Sequence, residues 1–207
     1  MTNRWNRFIY RLWAPVYDLF FARRGFGQAR RRALALLDVQ QGERVILPGV
    51  GTGADLRNLP AGAVAVGVDI SPAMLAQAQH KLAGVAATVY LIQGDVQQMP
   101  LASGVFDAAA LHLILSVAPD GHACVLETRR VLRRAGRCVI FDKFLPASVA
   151  APSLRRRLLS RLAMLVGTDL NRRLDVLLAA SGWVVVWEQP VLFGGAYRVF
   201  ALGRGEK

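Results

Sequence analysis

Short apolar runs alternate with amphipathic segments from about residue 44 to the end of the chain. Five nearly continuous apolar runs predict buried strands of a parallel sheet. They cover residues 44–47, 63–68, 88–93, 106–111 and 137–141. Between them, helical spacing predicts helices at 73–82 and 122–132, with further helices beginning at 54–56 and filling much of 150–180. Ser71 suits the N-cap of the first of these helices and Pro72 its first turn.

Two further strands, 183–189 and 197–202, are joined by a loop that contains Gly194 and Gly195. This connection is too short for a helical crossover, so the two strands are predicted to be antiparallel. The pattern as a whole predicts an α/β fold. Its architecture is a three-layer, Rossmann-like, doubly wound sheet that is mostly parallel and has an antiparallel C-terminal strand.

The first 40 residues have a different pattern. Apolar side chains at positions 5, 8, 9, 12, 13 and 16 recur at helical spacing, with arginines at 4, 7 and 11 beside them. Pro15 is expected to break or kink this helix, and a second helix is predicted at 26–38. We interpret 1–40 as an N-terminal helical lid segment and 41–207 as the main domain, one compact unit. An interfacial membrane anchor, or ordinary helix packing, would give the first helix the same pattern.

Composition bounds the class of protein. The hydrophobic fraction of 54% argues against disorder, and no apolar run reaches the roughly 18 residues that span a bilayer. The N-terminus has no signal-peptide pattern, so we expect a cytoplasmic protein with at most peripheral membrane contact. Two cysteines and three histidines are too scattered along the chain to predict a metal site.

The formal net charge of +12 is concentrated in two arginine clusters, one before residue 40 and one at 155–173. Such clusters attract anionic membranes, nucleic acid or acidic substrates. A solvated surface rich in arginine is the alternative interpretation. The charge alone predicts only non-specific attraction of nucleic acid, and therefore no specific binding of nucleic acid is predicted.

Polar residues directly after the strands are the candidates for ligand binding, because ligands of such sheets bind at the carboxyl ends of the strands. The glycine loop 49–53 follows the first strand, and Asp69 follows the second. Glycines allow a ligand to approach the backbone, and a carboxylate about 20 residues further on accepts hydrogen bonds from ribose hydroxyls. Taken alone, this pattern fits a nicotinamide or flavin dinucleotide equally well.

Several further motifs follow in a fixed order. They are VILPGVGTG at 45–53, GVDISPAML at 67–75, QGDVQQMPL at 93–101, VFDA at 105–108 and ETRRVLRRAG at 127–136. With these motifs and the terminal hairpin, residues 40–202 resemble the class I S-adenosylmethionine-dependent methyltransferases. The resemblance is to the small-molecule branch, which includes ubiquinone, menaquinone and phosphatidylethanolamine methyltransferases. It implies transfer of a methyl group from S-adenosylmethionine to a small-molecule, lipid-like acceptor.

The resemblance also implies which residues contact the cofactor. The glycine loop would line its methionine and ribose parts, Asp69 would bind the ribose diol, and Asp95 would accept from the adenine amino group. The full set is Tyr17, Gly49, Gly51, Thr52, Gly53, Asp69, Ile70, Met74, Asp95, Val96, Leu111 and His112. Loop capping is the alternative role for Asp69 and Asp95.

One position departs from the family pattern. An acidic residue usually stands two positions before the first loop glycine, where it helps to hold the methionine ammonium group, and here that position is Leu47, followed by Pro48. Asp55 is a candidate substitute by proximity in the sequence. The departure keeps one alternative open, a non-catalytic S-adenosylmethionine- or partner-binding module. An NAD-dependent oxidoreductase is the second alternative, because the glycine loop also fits a dinucleotide.

The sequence specifies the residues that would contact the methyl acceptor less well than those that would contact the cofactor. His112 follows the fourth strand and is the tentative catalytic base, since histidine commonly moves protons at neutral pH. A histidine that only contacts the cofactor or packs in the core is the alternative. Six other residues are predicted to bind the acceptor, with mutual ion pairing or helix anchoring as alternatives for several of them. They are Asp142, Lys143, Asp169, Asn171, Arg172 and Tyr197.

Overall fold

A seven-stranded sheet forms the centre of the computed structural model, which describes residues 2–14, 24–145, 154–165 and 167–205. In chain order the strands are β1 (Arg44–Pro48), β2 (Val64–Asp69), β3 (Thr88–Gln93), β4 (Phe106–His112), β5 (Leu132–Lys143), β6 (Trp183–Leu192) and β7 (Tyr197–Arg204). Their order across the sheet is β3-β2-β1-β4-β5-β7-β6. Strands β1 to β5 run parallel, and β7 is antiparallel to both β5 and β6. The predicted fold class is therefore confirmed.

Six helices accompany the sheet within the described residues. They are α1 (Asn3–Trp13), α2 (Arg24–Ala35), α3 (Pro72–His80), α4 (Gly121–Val131), α5 (Leu154–Leu165) and α6 (Leu174–Leu178). Ser71 caps α3 by accepting from the backbone N–H of Met74, and Pro72 begins the helix, as the sequence predicts. None of the described helices is long and apolar enough to span a bilayer.

The sheet has an apolar core on each of its faces, because side chains alternate along each strand. Ile46, Ala109 and Leu111 lie in the core that α4 and α6 cover. Val45 and Leu47 lie in the other core, which includes Phe26 of α2. A strand such as β1 buries both faces, which explains why it has an unbroken apolar sequence.

Two helical predictions are corrected. No α-helix begins at 54–56, where only a single 3₁₀ turn, Leu56–Asn58, is formed. Pro60 restricts the residue before it to extended backbone, and Leu59 has φ −72° and ψ 138°. The stretch 150–180, predicted to be largely helical, is interrupted between α5 and α6, where residues 167–173 form no helix.

Candidate cofactor site

The carboxyl ends of β1, β2 and β4 open into a pocket that encloses about 720 Å³ of non-protein space, part of it open to solvent. The loops that follow β1, β2 and β3 contribute to its lining, and so do α1 and the segment after β4. The lining residues are Asn3, Asn6, Tyr10, Arg30, Gly49, Val50, Gly51, Thr52, Ala54, Asp69, Ile70, Met74, Asp95, Val96, His112, Leu113, Ile114, Val117, Ala118 and Pro119.

The glycine loop forms the floor of this pocket. Gly49 has φ +70°, and a Cβ atom there would lie 2.5 Å from Cδ1 of Ile114, so no larger residue fits without a shift. At Gly51, by contrast, a Cβ atom would have only a carbonyl oxygen, 3.9 Å away, within 4 Å. Atoms of the described residues therefore leave space beside Gly51 that is available to a ligand.

Asp69 links the end of β2 to the glycine loop. Its Oδ2 accepts from the backbone N–H of Gly51 at 2.9 Å, and its Oδ1 accepts from that of Ser71 at 2.9 Å. Burial raises the pKa of the Asp69 carboxyl to about 6, although these backbone donors favour the ionised form. At neutral pH the residue is thus mainly a carboxylate, which can accept a further hydrogen bond from a hydroxyl group.

Asp95 joins the loop after β3 to the N-terminal helix. The backbone N–H of Gln97 donates to Oδ1 of Asp95 at 2.9 Å, and the side-chain amide of Asn3 donates to Oδ2.

Two further contacts hold α1 against the segment after β4 and against the loop after α5. Asn6 donates to the carbonyl of Val117 at 2.9 Å, and Tyr10 donates to that of Gly167 at 3.4 Å.

Three side chains from distant parts of the chain form a buried network at the pocket wall. Oδ2 of Asp55 lies 2.6 Å from Nη1 of Arg30 in α2, and Oδ1 lies 2.8 Å from Nδ1 of His112 at the end of β4. These two neighbours hold the pKa of Asp55 well below its ordinary range, because together they outweigh the desolvation that would raise it. Nε of Arg30 and Nε2 of His112 are both buried and have no hydrogen-bond partner among the residues that the structure describes.

Most of the predicted cofactor-binding residues line this one pocket. They are Gly49, Gly51, Thr52, Asp69, Ile70, Met74, Asp95, Val96 and His112. Two others do not. Leu111 points into the core on the opposite face of the sheet from its neighbour His112, and Gly53 packs against α3, where a Cβ atom would lie 3.1 Å from Ala78. Tyr17 lies outside the described residues.

The residues predicted to bind the acceptor do not line the pocket, and several of them support the segment that does. Asp142 is fully buried and accepts from the backbone N–H of Ser116 at 2.9 Å, while Arg172 donates to the carbonyl of Leu115 at 2.6 Å. Lys143 donates to the hydroxyl of Ser116 at 2.9 Å, and burial lowers the pKa of its ammonium group. These contacts favour the anchoring role that the sequence left open.

The other three residues predicted to bind the acceptor are Asp169, Asn171 and Tyr197. Oδ1 of Asp169 accepts from the hydroxyl of Ser160 at 2.9 Å and from the backbone N–H of Asn171 at 2.8 Å. The ring of Tyr197 lies 5.4 Å from Nζ of Lys143. Acceptor binding by any of the six stays a prediction.

Sequence reasoning missed Arg30 and the α1 residues among the pocket-lining side chains. Arg30 is the first of three consecutive arginines, and only its phase distinguishes it from the exposed Arg31 and Arg32. It stands four residues after Phe26 and three before Ala33, on the buried face of α2. This helical spacing from Phe26 and Ala33 was the signal in the sequence that could have identified Arg30 as buried.

Comparison with known proteins agrees with this geometry. The model of a family described as "Methyltransferase domain" matches residues 47–140. A phosphatidylethanolamine N-methyltransferase from Cereibacter sphaeroides is 28% identical over 91% of this chain and 92% of its own length. A demethylmenaquinone methyltransferase from Tropheryma whipplei is 34% identical over 68% of this chain, which spans 59% of that relative. The chain belongs to the class I S-adenosylmethionine-dependent methyltransferases.

Solved methyltransferase structures share the fold at low sequence identity. A putative methyltransferase in complex with the Haloferax volcanii Trm112 activator has a TM-score of 0.75, with 16% identity over 95% of this chain and 98% of its own. Geranyl diphosphate C-methyltransferase from Streptomyces coelicolor, solved with S-adenosyl-L-homocysteine, has a TM-score of 0.67 at 16% identity and covers 86% of this chain and 79% of its own.

S-adenosylmethionine is thus the cofactor of this methyltransferase, and the residues present fit it. Asp69 offers a carboxylate for a ribose diol, and Gly51 leaves space beside the backbone. Two buried nitrogens at the pocket wall have no partner within the described ranges of the chain. The comparisons do not favour the two alternatives, a non-catalytic binding module and an NAD-dependent oxidoreductase.

Proposed function

We propose that this methyltransferase modifies a lipid-like small molecule that enters the pocket from a membrane surface. The observation that carries the proposal is the two-sided character of α1. Its inner side supplies Asn3, Asn6 and Tyr10 to the pocket wall. Its outer side exposes Trp5, Phe8 and Leu12.

The pocket itself supports an apolar acceptor. The segment after β4 contributes Leu113, Ile114, Val117, Ala118 and Pro119 to its lining. With the loops after β1, β2 and β3 assigned to the cofactor, this apolar wall and α1 remain for the acceptor. The Cereibacter and Tropheryma relatives are named for a phospholipid and a quinone acceptor, which agrees with this assignment.

Most of the predicted cofactor-binding residues receive a role within this proposal. Asp69 binds the ribose diol, Ile70 and Met74 pack beside the adenine ring, and Asp95 accepts from its amino group. Val96 packs next to Asp95, and the glycine loop adjoins the methionine part. Because α1 donates to Asp95 through Asn3, we assign α1 the part of a lid over the bound cofactor.

The chemistry demands little covalent participation by the protein. The bound cofactor supplies a methyl group on a positively charged sulfur, which an acceptor atom displaces in line. The protein therefore acts mainly by aligning the acceptor and excluding water. The apolar residues after β4 and the α1 lid would perform both tasks here.

Contact with an anionic membrane would deliver such an acceptor. On α1, Arg4, Arg7 and Arg11 are exposed beside the apolar row. On α5, leucines 154, 158, 159, 162 and 165 are exposed, with Arg157 and Arg161 among them. Apolar side chains flanked by arginine are typical of helices that lie in the interface of anionic bilayers.

Transfer of a labelled methyl group tests the proposed reaction. The protein is incubated with S-adenosylmethionine carrying a deuterated methyl group and with vesicles that contain phosphatidylethanolamine or demethylmenaquinone. We expect mass spectrometry to find the label in one of these two lipids. Labelling of water-soluble amines or phenols instead, with both lipids unlabelled, would contradict the lipid-like acceptor.

Vesicle binding tests the membrane contact separately. We expect binding to phosphatidylglycerol vesicles at low salt and weaker binding as salt screens the arginines. The double variant Phe8→Ser, Leu12→Ser should bind at least about tenfold more weakly, since each side chain contributes roughly 1.5–3 kcal/mol when buried. Tyr90→Ser, which changes an exposed aromatic residue on β3, is the matched control. Absence of binding at low salt would refute the contact.

A further inference from the structure

The proposed contacts with the cofactor and the acceptor leave the network of Arg30, Asp55 and His112 without a function. All three side chains are buried, and they come from α2, the segment after the glycine loop and the end of β4. Arg30 and His112 line the pocket, and Asp55 lies behind them. A buried nitrogen without a partner is costly, and neither of these two nitrogens has one among the described residues. Both side chains line the pocket, where a ligand can complete their hydrogen bonding.

Asp55 does not itself replace the missing acidic residue at Leu47. Its two oxygens are engaged by Arg30 and His112, and it is absent from the pocket lining. The expectation that Asp55 contacts the methionine ammonium group directly is therefore wrong. Because an ionised carboxylate only accepts, Nδ1 of His112 carries the hydrogen and donates it to Asp55. In the neutral ring, Nε2 is then an acceptor.

His112 faces the same side of the sheet as Leu47. β1 and β4 pair Val45 with Ala108, so the face that carries Val45 and Leu47 also carries Ala108 and His112. An acceptor nitrogen thus stands one strand away from the position where the family carries its carboxylate. Arg30 contacts the same carboxylate as His112, and its Nε is a donor with no partner in the described part of the chain.

We propose that Arg30 and His112 together hold the amino-acid end of S-adenosylmethionine. Nε of Arg30 donates to the methionine carboxylate, and Nε2 of His112 accepts from the methionine ammonium group. Asp55 is a positioning residue that orients both side chains. The proposal rests on the S-adenosylmethionine site of the proposed function. It goes beyond that function by naming the residues that replace the acidic residue missing at Leu47.

The pairing of one donor with one acceptor suits an amino acid, which presents an anion and a cation on adjacent groups. A general base for the acceptor molecule would require only the histidine and would leave Nε of Arg30 without a partner. The amino-acid assignment accounts for both nitrogens. It also accounts for Asp55, whose negative charge compensates the buried guanidinium.

Two ligands that differ only at the amino-acid end provide the test. S-adenosylhomocysteine has the amino-acid end, and 5′-methylthioadenosine lacks it. Arg30→Gln removes the guanidinium, while His112→Asn removes the Nε2 acceptor and keeps an N–H that can donate to Asp55. By calorimetry, we expect each variant to bind S-adenosylhomocysteine at least about tenfold more weakly and 5′-methylthioadenosine with unchanged affinity. Arg31→Gln, on the exposed side of α2, is the matched control and should change neither.

Other outcomes would overturn the proposal. Equal weakening of both ligands would indicate a structural role for the network. Unchanged affinity for S-adenosylhomocysteine with a lower kcat in His112→Asn would indicate the proton-transfer role instead. If the wild-type protein bound neither ligand, the S-adenosylmethionine site itself would be refuted. That result differs from a failure of the contacts proposed for Arg30 and His112 alone.

The wild-type protein provides a second test that does not depend on the folding of variants. Decarboxylated and deaminated analogues of S-adenosylhomocysteine each lack one charged group of the amino-acid end. We expect each to bind at least about tenfold more weakly than S-adenosylhomocysteine. Equal affinity for all three ligands would refute contacts with both charged groups.

Discussion

Replacing Asp55 with alanine is expected to lower the free energy of unfolding by about 3–5 kcal/mol, because it leaves the Arg30 guanidinium buried without its anionic partner. The side chains of both residues are only 6% exposed, so water cannot replace the lost contact. Urea unfolding monitored by circular dichroism measures the change. The expected loss is large compared with the 5–15 kcal/mol that stabilise a typical domain.

Asp175→Ala is the matched control, because it also removes an aspartate paired with an arginine. Asp175 lies 2.8 Å from Arg173, but its side chain is 50% exposed, so the expected loss is at most about 1 kcal/mol. The double variant Arg30→Met, Asp55→Ala removes both buried charges and should be more stable than Asp55→Ala alone. A double variant as unstable as the sum of the two single variants would contradict the coupling.

The same ion pair has a predictable dependence on pH. The pKa of Asp55 is lowered in the folded protein, so the unfolded state binds more protons in the acid range. Its contribution to stability is therefore fully present above the ordinary aspartate pKa of about 4 and is lost as the pH falls below it. The difference in stability between the wild-type protein and Asp55→Ala should shrink accordingly in acid.

The second large effect is expected for Gly49→Ala, which should destabilise the fold by about 2–5 kcal/mol and weaken cofactor binding. A left-handed backbone costs a non-glycine residue roughly 1–2 kcal/mol, and overpacking costs typically 1–3 kcal/mol more. The new Cβ atom would stand 2.5 to 2.9 Å from three side-chain carbons of Ile114, itself part of the pocket lining. Thermal unfolding with and without S-adenosylhomocysteine measures both effects.

Gly84→Ala separates the two causes. Gly84 has φ +78°, close to the value at Gly49, but a Cβ atom there would meet nothing within 4 Å. This control should therefore lose only the backbone contribution of about 1–2 kcal/mol. Equal losses at the two glycines would show that the contact with Ile114 carries no cost.

The strands and most helices were predictable because their signals are local. A run such as Val45-Ile46-Leu47 is apolar on both sides only if both faces of the strand are buried, and Ser71-Pro72 begins α3 by its own capping chemistry. The ordered motifs also placed Asp69 and Asp95 after neighbouring strands. Since parallel strands end at the same edge, both residues line one pocket in the structure.

The face of the sheet to which a side chain points, and the groups that it contacts, were harder to predict from the sequence. Leu111 and His112 were assigned together to the cofactor, but adjacent residues of a strand point to opposite faces, and only His112 lines the pocket. Asp142, Lys143 and Arg172 are polar residues near the ends of strands or helices, and the sequence does not reveal that they hold Leu115 and Ser116 in place.

The sequence by itself determined the fold class, the methyl-donor family and the edge of the sheet where most of the predicted cofactor-binding residues meet, because these follow from local periodicity and from motifs in a fixed order. Only the tertiary structure decided that Arg30, Asp55 and His112 meet. They are separated by 25 and 57 residues and lie on three different elements, so packing alone brings them together. The resulting network stands where the sequence had indicated only a missing carboxylate at Leu47.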